Sequence, residues 1–249
     1  MTDVFDRVNA VSATASLWPD EPLAGSGFSG DLGLSPQMPS YTVARTQLLT
    51  SIRRLRNAAQ LVKVDDGWGT HLLMLRPALV LAAKAAWIVR PDRSDERVSR
   101  SLGVLLNDQR RGAKAMRDAV SQGAMPEFGE VASKFDRSYN SLADLVSVTP
   151  EKQPGDEKLI RALGGDVNSY YGIDDASSDM QLLWNASSSL AHGETWFSLL
   201  SGGLQRKPLA EIFTARSFDT VCSGINTTSL RILQLATFPP AGAQPPAAT

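Results

Sequence analysis

The chain has 249 residues, 43% hydrophobic and 20% charged, and carries a net charge of -1. This is the composition of an ordinary globular protein, long enough for one large domain or two small ones. The near-neutral balance excludes a global field pulling the protein toward nucleic acid or an anionic membrane. One cysteine and two histidines exclude an intrachain disulfide, a cysteine zinc cluster and the common zinc spacings, and they fit a reducing cytoplasm.

Charge is unevenly spread. Residues 42–125 hold fifteen Lys and Arg against seven Asp and Glu, whereas the first 41 hold one Arg against five acids. The pattern reads as a basic helical body behind an acidic leading segment, with ordinary solvated helix faces as the simpler account.

The opening MTDVFDRVNA is acidic and lacks an apolar core, so it does not read as a secretory signal. Residues 1–41, rich in Ser, Gly, Pro and Asp, read as an irregular arm with at most a short helix over 4–15. Trp18, Phe28 and Leu34 are its candidate anchors to the body. The spacing of Leu48, Ile52, Leu55, Ala59 and Val62 predicts a long helix from Tyr41 to Val64. Residues 69–89 predict a second helix, apolar nearly all round and therefore central. Pro77 should kink it or delay its start. Arg76 and Lys84 interrupt its apolar run, which favours a buried core helix over a membrane span.

After Arg90-Pro91-Asp92, a third helix is expected to run from residue 92 or 94 to about 122. Val98, Leu102, Leu105, Met116 and Val120 form its apolar face. Arg93, Arg97, Arg100, Asn107, Arg111 and Lys114 form a polar stripe that suits a phosphate backbone or plain solvent. A fourth helix is expected over 130–146. Residues 151–175 are broken by Pro154, Gly155, Gly164, Gly165 and Gly172 and read as a linker, with a short helix over 157–163. GGDVNSYYGIDD lacks the lysine and the preceding strand of a P-loop. A fifth helix covers the stretch LLWNASSSLAHGETWFSLL at 182–200, and a last one runs from about Pro208 to Ala236. The expected fold is all-α, a bundle of about five to seven helices. The bundle domain spans 42–238, behind the irregular arm of 1–41 and ahead of a disordered tail over 239–249.

The stretch 182–200 is where the residues look chosen for chemistry. On a helix, Asn185, Ser188, Ser189, His192 and Trp196 would share a face. Asp65-Asp66 and Asp174-Asp175 sit at turns, so no metal and no cofactor is expected. Ser188 or Ser189 could meet His192, but no GxSxG elbow or oxyanion hole accompanies them. What remains is acid–base work by His192, with Arg76, Arg93, Arg97, Arg100 or Arg111 as the phosphate-binding cation. The competing reading is a packing histidine bonded to Ser188 or to a neighbouring helix. A small-ligand pocket lined by Trp184, His192 and Trp196 is a third reading.

The sequence LRPALVLAAKAAWIVRPDRSDERVSRSL, followed much later by WNASSSLAHGETW, resembles a diffuse group of uncharacterised actinobacterial helical proteins. That architecture in turn resembles the HEPN superfamily of helical bundles, over roughly residues 41–200. The resemblance implies a homodimer that binds RNA or a protein partner in a defence or stress setting, without membrane or metal. It also implies metal-independent RNA cleavage with His192 as the acid–base group. Active members carry Arg, four to six residues, then His; here the eligible positions are Ser187, Ala186 and Asn185. Only His192, with Asn185 in place of the arginine, carries over. Arg76, Arg97, Arg100, Arg111, Ser188 and Trp196 complete the candidate phosphate- or ligand-binding set. The alternative is a non-enzymatic interaction protein of antitoxin or immunity type, working through a dimer or groove surface.

Overall fold

A computed structural model describes residues 2–37, 39–64, 69–123, 126–144, 148–192 and 207–239. Among these the chain is all-helical, with nine helices: α1 Thr2–Ala15, α2 Ser29–Leu34, α3 Ser40–Val64, α4 Thr70–Val89, α5 Ser94–Ser121, α6 Glu127–Asp144, α7 Asp156–Tyr171, α8 Ala176–His192 and α9 Lys207–Thr237. The helix count exceeds the five to seven expected because the arm contributes two helices and the supposed linker a full one. The tail expected over 239–249 lies, apart from Pro239, outside the described residues.

Helix α4 is the centre. Its run of Leu, Ala, Trp, Ile and Val gives it no polar face to turn outward, so α3, α7, α8 and α9 all pack around it. By length and composition it could cross a bilayer, but 67% of its most apolar window is buried inside the protein. That burial accounts for its apolarity. The helix runs unbroken through Pro77, so the expected late start is not seen. Ser51 of α3 donates a 2.7 Å hydrogen bond to the Ala78 carbonyl, holding α3 and α4 together near their middles.

Helix α7 corrects the linker reading. Leu159, Ile160, Leu163 and Val167 are spaced for one helix face and are buried in the common core. Gly164, which looks like a breaker, is instead a contact surface. A Cβ there would lie 2.5 Å from the Ser177 backbone, so glycine lets α7 and α8 approach closely. Gly172, at φ 66°, ends α7 in the left-handed conformation, its N–H bonded to the Asn168 carbonyl. The Asn168 side chain then accepts from the Ala176 N–H and so starts α8.

The leading segment is built into the body. Val4, Val8, Val11, Trp18 and Phe28 belong to the same buried core as α3 and α4; Leu34 is only half-buried. The N–H groups of Leu23, Gly27 and Phe28 donate to the carbonyls of Ala236, Phe238 and Leu235. The arm thereby satisfies carbonyl groups that the end of α9 leaves without helical partners. Helices α5 and α6 form a hairpin, and among the described residues α6 packs essentially on α5 alone.

Candidate functional site

Helix α8 is amphipathic. Met180, Leu183, Ala186, Ser187 and Ser189 are buried against the bundle, while Leu182, Asn185 and His192 are exposed and Ser188 is half-buried. The expected polar face therefore exists as Asn185, Ser188 and His192, spaced three and four residues apart. Ser189 is turned into the core instead, since at 100° per residue one step from Ser188 moves a side chain off the face. Trp196 lies outside the described residues. On the same face the Gln181 side-chain amide donates to Asn185 Oδ1 at 3.3 Å.

His192 is the last described residue of α8. Among the described residues its ring forms no hydrogen bond with Ser188, so the packing-histidine reading does not match its exposed position. The same geometry gives Ser188 no activating base. The other histidine, His71, is buried at the start of α4. Its ring stacks on Phe218 at 6.1 Å and meets the Thr214 hydroxyl at 3.3 Å, which makes it a packing histidine.

Of the five arginines considered as the phosphate-binding cation, Arg93 pairs with Asp95 at 2.7 Å on the surface at the start of α5, and the four of the candidate binding set have separate fates. Arg97 is fully buried: its guanidinium pairs with both Asp31 carboxylate oxygens, at 2.6 and 3.0 Å, and donates to the carbonyls of Gly27, Pro91 and Asp92. Its donors are used inside the protein, so Arg97 is no phosphate ligand. Its place on a polar stripe was legible, but the acid that draws it inward, 66 residues away, was not. Arg100 is half-buried over the Trp87 ring, bonded to the Trp87 carbonyl and paired with Glu151 at 3.0 Å. Arg111 is exposed near the outer half of the α5–α6 hairpin.

Arg76 alone of the four reaches α8. Its guanidinium lies 4.2 Å over the Trp184 ring, with no carboxylate partner among the described residues. An arginine held over an indole by a cation–π contact, without a carboxylate, still has N–H groups to offer a base or a phosphate. Trp184 precedes His192 by eight residues, about 12 Å along the helix axis, and the common lean of helical side chains toward the N-terminus leaves that offset unchanged. The cation and the imidazole are therefore spaced along a surface rather than aimed at one atom. Among the described residues no cluster of three metal-ligating side chains exists.

Comparison with protein-family models, with curated proteins and with solved structures finds no match for this chain. The site is therefore read from its own geometry.

Proposed function

We propose that this is a HEPN-like helical protein that binds single-stranded RNA along the exposed face of α8. The observation that carries the reading is the Arg76 guanidinium stacked on Trp184 without a carboxylate partner among the described residues, beside the exposed Asn185 and His192. Arg76 takes a base on its plane or a phosphate on its edge. Asn185, Ser188 and His192 supply hydrogen-bonding groups to the next nucleotides. The cytoplasmic, homodimeric, defence or stress setting belongs to the same proposal. The 12 Å offset along α8 favours binding over cleavage, because stabilising a phosphorane needs the cation at the reacting phosphate.

The test is fluorescence anisotropy with a labelled 12-nucleotide RNA across a salt series. Arg76→Gln should weaken binding roughly fivefold to tenfold and lower the salt slope by about one. Unchanged binding in that variant would sink the proposal. Incubating the same RNA in chelator tests catalysis: cleavage that disappears in His192→Ala would make the protein a ribonuclease.

The α5–α6 hairpin favours a second reading, an interaction protein that uses this hairpin to contact a protein partner. Reversing Arg110 and Arg111, both exposed on α5, should then abolish partner capture while leaving RNA binding unchanged.

A further inference from the structure

At the far end of α4, about 21 Å along the axis from Arg76, the C-terminal turns of α4 meet α7 and α9 around an open cleft of about 350 Å³. Ala86, Val89 and Leu230 give it an apolar floor, and Tyr170, 56% exposed as a residue, stands at its rim. The volume is within the range of small-molecule sites, and the lining has the usual form of apolar surface with a few convergent polar groups.

Two arginines and one acid line this cleft. Arg90 is already matched, paired with Asp166 at 2.7 Å. Arg231 is different. Its Nε donates to the Val89 carbonyl at 3.2 Å and one Nη to the Gln234 side-chain oxygen at 2.9 Å, so neutral acceptors hold the guanidinium in place. Its remaining carboxylate partner, Asp92, is 83% exposed, and water screens such a pair strongly. The arginine is therefore oriented but weakly neutralised.

We propose that this cleft binds a small aromatic monoanion, a carboxylate or phosphodiester carrying a flat ring. The anionic head replaces Asp92 on Arg231. The ring lies on the floor formed by Ala86, Val89 and Leu230 with Tyr170 at its edge. One net positive charge among the lining groups matches a single negative charge on the ligand. The site is independent of the RNA reading, which uses the other end of α4.

Isothermal titration of the full chain with indole-3-acetate, adenosine 3′,5′-cyclic monophosphate and the uncharged indole-3-ethanol tests this. At least one of the two anions should bind saturably and at least tenfold more tightly than indole-3-ethanol; the tighter of the two identifies the head group. Arg231→Gln should weaken that binding at least tenfold and Tyr170→Ala severalfold. Asp92→Asn, which removes the competing carboxylate from an exposed position, should strengthen it. Because a merely structural Arg231 would not yield a gain in Asp92→Asn, the proposal survives even if Arg231→Gln fails to fold. Absence of saturable binding, equal affinity for indole-3-ethanol, or no change in Asp92→Asn and Tyr170→Ala would overturn it. Arg76→Gln should leave these titrations unchanged, so failure here and failure of RNA binding are read separately.

Discussion

Arg97 and Cys222 show what burial does to individual residues. The Arg97–Asp31 pair is wholly enclosed, and Ser40 donates a further hydrogen bond to the same carboxylate. Replacing a buried ion pair by apolar groups is often harmless, but removing one partner strands the other charge. Arg97→Met should therefore cost about 3–5 kcal/mol in urea denaturation, and Arg97→Met combined with Asp31→Leu should recover a large part of that loss. Cys222 is buried, and desolvation pushes its thiol up to about 12 from an ordinary 9.0, against a smaller opposing pull from Arg7. The folded protein then keeps a proton that the unfolded chain gives up between about pH 9 and pH 12. Its contribution is fully present below pH 9 and declines as pH rises through that window, at no more than about 1.4 kcal/mol per pH unit. Cys222→Ala should flatten the alkaline limb of the stability profile. A limb unchanged by that substitution would show that the thiol titrates normally.

At the scale of elements, the helices differ in how many neighbours hold them. α4 is gripped from several sides, whereas among the described residues α6 rests essentially on α5. A helix with one partner can open without the rest of the fold following. Native-state hydrogen exchange should show α6 and the outer part of α5 opening at least about 2 kcal/mol more easily than α4. Equal protection would mean that something else clamps the hairpin, such as a second copy of the chain. α7 makes the contrasting point. Its two glycines suggest a break, but Gly164 allows the Ser177 backbone to approach, so a residue that weakens an isolated helix strengthens a helix pair.

For the whole molecule the leading segment matters most. Deleting residues 1–40 would remove Val4, Val8, Val11, Trp18 and Phe28 from the core and leave Arg97 buried without its acid. Each apolar side chain contributes about 1.5–3 kcal/mol of burial, and five together rival the net stability of a typical domain, about 5–15 kcal/mol. The truncated chain should show no cooperative thermal transition by circular dichroism. A cooperative transition in the truncated chain would show that the leading segment is dispensable for folding.

The sequence by itself determined the all-α class, the central place of residues 69–89 and the approximate spans of the long helices. These follow from 3.6-residue periodicity and from Gly and Pro punctuation, both local signals. Asn185, Ser188 and His192 on one face of α8 were legible for the same reason. The tertiary structure decided what depends on partners distant in the chain. It drew Arg97 inward to Asp31, tied Arg100 to Glu151, buried the leading segment and set Arg76 on Trp184. It also assembled the Arg231 cleft from three helices that no spacing rule connects. A charge on a polar stripe looks the same in sequence whether it faces water or an acid many residues away. Only the packing of α2 against α5 and of α8 against α4 told those cases apart.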